Sequence, residues 1–247
     1  MRRRQISNQQ NFFGATEPAL LPATDGEINF LWSFIQGSIM IPETWNALLR
    51  NYGFCERHAW ILIGVEMSFR GEYLFGPTIL YAGLIERAVR AASTRRSAIR
   101  QLRAAGPCLV CAVNAKNASA GASPQARLNR GRDAGELRKF AGKLEPIWRD
   151  SVCRDCSGHE SSATAPNRCR QHLLVAIKER VAIDMAAQGD LLQDLSARLC
   201  RYERSFLAGG PKASDQDRAA LIAAIGWCSG WRPLLAQLSC SLCGAAK

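Results

Sequence analysis

Ten residues of metal-binding type form five short pairs in this chain, and each pair has two residues between its members. The pairs are Cys55/His58, Cys108/Cys111, Cys153/Cys156, Cys169/His172 and Cys240/Cys243. Two intervening residues allow a tight turn, or one helical turn, to direct two side chains at a single ion. Because most of the cysteines and histidines lie in such pairs, the spacing predicts bound metal and is typical of zinc sites.

The two C-x-x-H pairs have similar surroundings, since Cys55 and Cys169 each come directly before an apolar stretch that is predicted to be helical. A cysteine at a helix N-terminus meets the positive end of the helix dipole, which stabilises its thiolate. A histidine three residues later, as at His58 and His172, lies on the same face of the helix. Each C-x-x-H pair therefore supplies half of a tetrahedral shell and needs two more ligands.

The C-x-x-C pairs are the candidates for the missing ligands. Cys108-Leu109-Val110-Cys111 follows a Gly-Pro dipeptide, which predicts a turn whose backbone N–H groups can donate to the sulfurs. A shell of three cysteines and one histidine keeps a net negative charge when it holds zinc. Three arginines near the motifs could offset that charge: Arg57, Arg168 and Arg170.

The order of the motifs resembles that of a known family. Gly-Phe-Cys-Glu-Arg-His-Ala at 53–59, Gly-Pro-Cys-Leu-Val-Cys at 106–111 and Cys-Arg-Gln-His-Leu-Leu at 169–174 resemble a family of uncharacterised bacterial Cys/His-rich helical proteins. That family, a domain of unknown function, has repeated C-P-x-C and G-x-C-x-x-H modules. The resemblance covers most of the chain after Phe30, and it implies a helical Cys/His fold without implying a reaction.

The resemblance also implies which pairs share an ion. Cys108 and Cys111 would complete a site with the second C-x-x-H pair, which leaves Cys153 and Cys156 as extra cysteines. The family has a C-P-x-C before its first G-x-C-x-x-H, but no cysteine precedes the first C-x-x-H pair here. We therefore expect the C-terminal pair, Cys240/Cys243, to fold back and complete that site.

Spacing alone leaves other arrangements open. Cys153 and Cys156 could instead join Cys169 and His172, because the intervening length suits a compact zinc finger. A multinuclear or iron-sulfur centre is a third arrangement. His159 is a further candidate ligand, although nothing in the sequence positions it.

The net charge of +11 is concentrated in the middle third of the chain. Residues 87–170 hold 17 Lys and Arg against 6 Asp and Glu, an excess of 11, so the rest of the chain is balanced. Such a region presents a positive surface to nucleic acid or to an acidic protein, although a charged helical face can also be only solvated. The candidate partner-binding residues lie in one basic stretch: Arg95, Arg96, Arg100 and Arg103.

Helical periodicity dominates and strand-like alternation is scarce, so we expect a mainly α fold, an irregular helical bundle stapled by the Cys/His metal sites.

Four parts of the chain are expected: an N-terminal extension (1–27), a first helical C-x-x-H module (28–107), a second Cys/His module with basic loops (108–208), and a C-terminal helix with its C-x-x-C tail packed on the first module (209–247). Helices are predicted over 28–51 with a bend at Pro42, 55–69, 77–89, 94–105, 134–149, 169–187, 191–207 and 215–227. Segments 114–131 and 158–167 lack periodicity and are predicted to be surface loops.

The sequence favours a non-enzymatic protein, because it has no phosphate loop, dinucleotide fingerprint, G-x-S-x-G or H-E-x-x-H motif. We predict a non-enzymatic helical protein, stabilised by one or two zinc ions, that binds an acidic protein or nucleic acid through its basic middle third. The alternative is a redox or metal-handling protein in which Cys153 and Cys156 react, or in which an iron-sulfur cluster replaces zinc.

A cytoplasmic location is expected. The basic residues Arg2, Arg3 and Arg4 resemble the start of a secretory signal, but the residues after them are polar where an apolar segment is needed. No apolar run approaches the ~18 residues of a membrane span. Thiols stay reduced in a cytoplasm, which favours metal ligands over disulfides.

Overall fold

The computed structural model of the chain describes residues 22–92, 94–113, 123–157 and 167–244. For Met40 and for residues 240–244 it describes the backbone only. Within these ranges the secondary structure is helical, without strands, which confirms the predicted mainly α fold. The α-helices are α1 (Asp25–Gln36), α2 (Pro42–Asn51), α3 (Glu56–Arg70), α4 (Phe75–Ala91), α5 (Arg95–Gln101), α6 (Leu109–Ala112), α7 (Gln125–Arg132), α8 (Gly135–Trp148), α9 (Arg154–Ser157), α10 (Arg170–Lys178), α11 (Met185–Arg204), α12 (Asp215–Ser229) and α13 (Arg232–Gly244).

Two helices form the centre of the bundle. Along α3, residues 58–67 are all buried, as the apolar residues on every side of this segment predict. Residues 219–229 of α12 are also all buried, so this helix has no exposed face over that stretch. The alanines of α12 let α3, α4, α8, α10 and α11 pack closely around it, because small side chains allow a short distance between helix axes.

Tryptophans fill the space between α3, α8 and the start of α13. The ring of Trp231 stacks on that of Trp148, with 5.5 Å between centroids and 24° between planes. Trp60 lies on another side of Trp231 at 6.5 Å. All three are buried, so these tryptophans belong to the hydrophobic core.

The helix predicted over 169–187 is wrong at its C-terminal end. α10 ends at Lys178, and Arg180 has φ +58°, a left-handed conformation that ends the helix. Asp184 then begins α11, and its Oδ1 accepts the N–H of Ala187 at 2.9 Å. The apolar periodicity continues through this break, whereas the capping carboxylate shows the boundary.

The loop predicted over 114–131 is also wrong in part, because 125–132 forms α7. This helix packs on α3 and α1, and its arginines lie over aromatic rings there. The guanidinium of Arg127 is 5.5 Å from the Trp32 ring, and that of Arg130 is 5.1 Å from the Phe69 ring. The polar sequence of α7 alone gives little helix stability, and its tertiary contacts supply the rest.

Some predictions fall outside the described residues: the N-terminal extension through residue 21, the loop residues 114–122, and 158–166 with His159. The division of the chain into four parts stays a prediction. In the described ranges, no helix combines the length and the apolar character that crossing a membrane requires.

A pair of glycine substitutions tests the packing around α12. A Cβ at Gly226 would lie 2.2–2.5 Å from three ring atoms of Trp231. We expect Gly226→Ala to lower the free energy of unfolding by about 1–3 kcal/mol, because neither the helix nor the stacked ring has room to move. The measurement is urea denaturation of the metal-loaded protein.

Gly189→Ala in α11 is the matched control, since a Cβ there meets nothing within 4 Å. This substitution is expected to raise the free energy of unfolding by about 0.5–1 kcal/mol. Equal effects of the two substitutions would contradict the close contact between Gly226 and Trp231.

Candidate metal centres

The structure brings the described metal-ligand pairs together in two groups. Site 1 consists of Cys55, His58, Cys108 and Cys111, and its four ligand atoms all lie within 4.8 Å of one another. The Nδ1 atom of His58 is 3.1, 3.5 and 3.4 Å from the sulfurs of Cys55, Cys108 and Cys111. The sulfurs of Cys55 and Cys111 are 3.9 Å apart.

Site 2 consists of Cys153, Cys156, Cys169 and His172, again with all ligand atoms within 4.8 Å. Here the Nδ1 atom of His172 is 3.3, 3.4 and 3.2 Å from the sulfurs of Cys153, Cys156 and Cys169. The sulfurs of Cys156 and Cys169 are 3.8 Å apart. The two sites therefore have the same donor set and nearly the same dimensions.

These distances fit the edges of a tetrahedron around one ion. With metal–sulfur bonds of about 2.3 Å, two sulfurs in a tetrahedral shell lie about 3.8 Å apart. A disulfide would instead need sulfurs about 2.0 Å apart, and the eight described cysteines are free thiols. Each site could thus hold a metal ion with three sulfurs and one nitrogen.

Local backbone geometry explains why both C-x-x-H pairs present their ligands in the same way. Cys55 and Cys169 are the N-cap residues of α3 and α10, with φ/ψ of −66°/167° and −66°/162°. The histidine follows in the first turn of each helix. As the sequence predicted, sulfur and imidazole are directed to one side of a helix N-terminus, where the dipole favours thiolate.

Short turns present the two C-x-x-C pairs. Cys108 precedes the single-turn helix α6, and its turn is attached to α2 because Asn51 Nδ2 donates to Pro107 O at 2.9 Å. Cys153 precedes α9, where Arg154 N donates to Asn167 O at 3.3 Å. The latter bond connects the two halves of site 2 directly.

The grouping shows that the pairing implied by the family resemblance is wrong. Cys108 and Cys111 lie beside the first C-x-x-H pair, because the chain after α5 returns along the end of α2, where Ala105 N donates to Arg50 O at 3.2 Å. Site 2 is the local finger that spacing left open, so its C-x-x-C pair is not extra. Cys240 and Cys243 belong to α13, but their side chains lie outside the described residues.

Glu27, which the sequence did not single out, orients the histidine of site 1. This carboxylate is fully buried, and its Oε1 accepts Nε2–H of His58 at 2.9 Å. That bond leaves the Nδ1 lone pair of His58 directed at the sulfurs. Arg57 also forms a two-pronged pair with Glu27, with N–O distances of 2.9 and 2.8 Å. In site 2, the described residues offer His172 Nε2 no such partner.

A capping motif in the sequence could have revealed Glu27. Thr24 and Glu27 form a capping box at the start of α1, and the S/T-x-x-E spacing of such a box is visible in the sequence. The predicted helix began at Ile28 and therefore missed it. Although burial acts in the opposite direction, hydrogen bonds from His58 and then Arg57 hold the pKa of Glu27 well below its usual range.

In each site, electrostatics favours negative charge on one thiol and protonation of a neighbour: hydrogen bonds with Cys108 and Cys153 raise the pKa values of Cys55 and Cys156 above their usual range. A hydrogen bond from Cys55 lowers the pKa of the Cys108 thiol to about 4. In site 2, a hydrogen bond from Cys156 lowers the pKa of Cys153 well below its usual range. Hydrogen bonds to Cys153 and then Cys169 raise the pKa of His172 to about 10. Each site thus attracts positive charge. A metal cation bonded to the three sulfurs and the histidine nitrogen would supply that charge.

The intervening residues of both C-x-x-H motifs contact one stretch of chain, the bridging segment, which is Cys228–Arg232 and runs from the last residues of α12 to the first residue of α13. Arg170 Nε donates to Cys228 O at 2.9 Å, and Gln171 Nε2 donates to Ser229 O at 3.3 Å. From the other site, Glu56 accepts the N–H of Arg232 at 3.1 Å and its guanidinium at 2.9 Å. The two helix N-termini are therefore attached to the same five residues.

Glycine is required in the middle of the bridging segment. Gly230 has φ +119°, and a Cβ there would lie 2.4 Å from Oε1 of Glu56. The backbone carbonyl of Gly230 accepts the Nε1–H of Trp60 in α3 at 2.9 Å. The hydroxyl of Ser229 donates to Phe54 O, directly before site 1, at 3.1 Å.

The three arginines expected to offset the site charge differ in their contacts. Arg57 pairs with Glu27, and Arg168 pairs with Asp155. Arg170 is buried, and in addition to Cys228 O it donates to Leu102 O at 2.9 Å. Since Arg170 follows ligand Cys169 directly and has no carboxylate partner among the described residues, its charge remains available to offset site 2.

The predicted partner-binding arginines form a distinct surface around α5. Arg95, Arg96, Arg100 and Arg103, the α5 surface, are all exposed, and no ion pair to any of the four occurs within the described ranges. By contrast, four basic residues of α7, α8 and the position directly after α8 pair with carboxylates: Arg132, Lys139, Lys143 and Arg149. Four neighbouring cations without a carboxylate partner in the described part of the chain are therefore concentrated at the α5 surface.

Comparisons with known proteins gave no match, either among protein-family models or among curated proteins and solved structures. The resemblance to the bacterial Cys/His-rich family stays a prediction, and the assignment of the two sites rests on their geometry.

Substitution of one cysteine in each site tests the grouping. We expect two zinc ions per chain in the wild type, and one ion per chain in both Cys111→Ala and Cys156→Ala, because each substitution opens one tetrahedral shell. The double variant should hold neither ion. Metal content by elemental analysis after gel filtration is the measurement.

Cys200→Ala is the control, since Cys200 is exposed and belongs to neither site. It should keep both ions. A double variant that still binds one ion per chain would contradict the grouping, because Cys111 and Cys156 would then belong to the same site.

A second experiment tests how Glu27 acts on site 1. We expect Glu27→Gln to weaken metal binding at site 1 by about 10–100-fold, the usual effect of removing a carboxylate that orients a histidine ligand. Competition with a chelator, in a Cys156→Ala background that leaves only site 1, measures this affinity.

Thr24→Ala separates the orienting effect from helix capping. It removes the hydroxyl that accepts the N–H of Glu27 and should cost about 1 kcal/mol of stability, with the metal affinity of site 1 kept. If Thr24→Ala weakens metal binding as much as Glu27→Gln does, the orienting role of Glu27 is wrong.

Proposed function

We propose that this chain is a non-enzymatic, zinc-stabilised helical protein whose α5 surface binds an acidic partner. The observation that supports a structural role for the metal is that both sites are closed, with four protein ligands each within 4.8 Å of one another. Structural zinc sites have four protein ligands, whereas catalytic zinc keeps a position open for water or substrate. Neither site leaves such a position.

The dimensions of the sites favour single zinc ions over iron-sulfur clusters. Ligand atoms only 3.1–3.9 Å apart enclose one ion, and a cluster of several irons with bridging sulfides needs more space between its cysteines. Cysteine and histidine donors in tetrahedral geometry are the usual ligands of structural zinc. The redox alternative loses support because both described C-x-x-C pairs are needed to close the shells.

The position of site 1 explains how zinc and partner binding are connected. α5 is anchored by buried Ala98 and Leu102, and it leads through the turn at Gly106 directly into Cys108. The ion in site 1 would therefore fix the chain directly after the α5 surface. Loss of that ion is expected to loosen α5 without touching any of its arginines.

The chemistry of the α5 surface suits anionic groups. Arginine guanidinium groups bind phosphate and carboxylate with two parallel hydrogen bonds, and no acidic residue occurs between Thr94 and Ala105 to compete for them. Arg96 and Arg100, four residues apart, lie on one face of the helix. Phosphates of nucleic acid and carboxylates of an acidic protein are both suitable acceptors for the hydrogen bonds that this surface donates.

Simultaneous replacement of the four α5 arginines by alanine tests the proposal. We expect this variant to bind a fluorescent 20-base-pair DNA duplex or a poly-glutamate peptide about tenfold or more weakly than the wild type. For DNA, the slope of log K against log salt concentration should fall by up to about 3–4, roughly 0.9 for each lost phosphate contact. Fluorescence anisotropy across a salt series measures both quantities.

The matched control replaces four basic residues in and directly after α8 by alanine, which changes the net charge equally: Arg138, Lys139, Lys143 and Arg149. Affinity should then change much less, because three of these four residues are already paired with carboxylates. Preference for duplex or for peptide identifies the partner class. Equal losses in the two variants, or no binding of either probe, would contradict the α5 proposal.

A further inference from the structure

A pocket opens where the end of α3 meets the start of α4, away from both metal sites. Its volume is about 200 Å³, and residues of α1, α2, α3 and α4 line it. Glu66 lies on its wall eight residues after His58, which is about 12 Å along the axis of α3. Neither the metal sites nor the α5 surface uses this pocket.

Glu66 is an unusual residue for such a place. Its side chain is only 3% exposed, and no donor within the described residues makes a hydrogen bond to its carboxylate. The nearest cation is Nη1 of Arg70 at 3.8 Å, and Arg70 uses Nη2 to donate to Ile35 O at 3.2 Å. Buried carboxylates are normally paired or hydrogen-bonded.

The carboxylate is directed into the pocket. Its Oε1 atom lies 3.8 Å from the position that a Cβ on Gly76 would take, and Gly76 is itself part of the wall. Burial raises the pKa of Glu66 to about 7, as expected for a carboxyl without a close donor. A ligand with a hydrogen-bond donor would supply the hydrogen bond to Glu66 that no donor of the described residues makes.

Apart from Glu66, the wall has two polar residues, Gln36 and Arg70, and is otherwise apolar. Five large apolar side chains contribute to it: Ile35, Ile39, Trp45, Phe75 and Ile79. An apolar cavity of about 150 Å³ is enough to bind benzene, so this pocket has room for one aromatic ring and a short carbon arm. Mainly apolar walls with a few polar groups are typical of small-molecule sites.

We propose that this pocket binds a small primary amine that carries an aromatic or branched apolar group. The ammonium donates to Glu66, and the apolar group packs between Trp45 and Phe75. A carboxylate accepts hydrogen bonds only, and its bond to a charged donor is stronger than one to a neutral hydroxyl. A ligand carboxylate placed beside Glu66 is repelled by it, and Arg70, the cation of the wall, already faces Glu66 with Nη1 and donates to Ile35 O with Nη2.

Three isosteric probes test the proposal on the zinc-loaded full chain: 2-phenylethylamine, 2-phenylethanol and phenylacetate. We expect saturable binding of the amine, at least about tenfold tighter than that of the alcohol, and no binding of the acid. Isothermal titration calorimetry gives the affinities, and NMR shifts of the Trp45 indole N–H locate the ligand. Amine binding without a Trp45 shift, or alcohol binding as tight as the amine, would overturn the proposal.

Two variants separate the charge from the cavity. Glu66→Gln keeps the shape of the side chain and should abolish the preference for the amine. Gly76→Ala adds a methyl group beside Glu66 at ordinary contact distance, so the protein folds normally while both ligands bind at least about threefold more weakly.

Glu86→Gln is the control, because Glu86 is an exposed carboxylate on the same helix as Gly76. It should leave all affinities unchanged. If the Glu66→Gln variant, shown by its unfolding curve to be folded, keeps the preference for the amine, the assignment of Glu66 is wrong.

Discussion

Three thiolates and an imidazole within 4.8 Å of one another form an arrangement that mutual repulsion would open unless a cation occupied its centre. This constraint applies twice in the chain, and the positions of α3, α10 and the two C-x-x-C turns depend on it. Thiolates gain only partial relief from helix dipoles and from hydrogen bonds with neighbouring thiols. A bound divalent ion would supply the remaining attraction, and it would couple metal binding to folding.

The bridging segment makes the two sites parts of one structure. Arg170 and Glu56, each next to a ligand cysteine, contact this segment from opposite sites, and the buried helix α12 runs directly into it. A change at either ion therefore reaches the same five residues. The α5 surface lies next to site 1 in the chain, so the two sites, the core and the basic helix are connected through short covalent and hydrogen-bonded paths.

The mainly α fold, the buried helix α3 and the ligand pairs could be predicted from the sequence, because periodicity and the C-x-x-H spacing are local signals. The pairing of the sites could not, since it depends on where the chain after α5 returns, and a hydrogen bond between Ala105 and Arg50 is not visible in spacing. The same holds for α7, which its contacts with Trp32 and Phe69 stabilise, and for the role of Glu27. A wider search for capping motifs would have identified Glu27 and the boundary at Asp184.

X-ray absorption spectroscopy at the zinc edge tests the central claim most directly. The account predicts an average shell of three sulfurs at about 2.3 Å and one nitrogen at about 2.0 Å around each ion, in protein that loses its helical circular dichroism when the ion is chelated. A metal–metal vector typical of a cluster, a shell with open water positions, or a fully folded protein free of metal would contradict it.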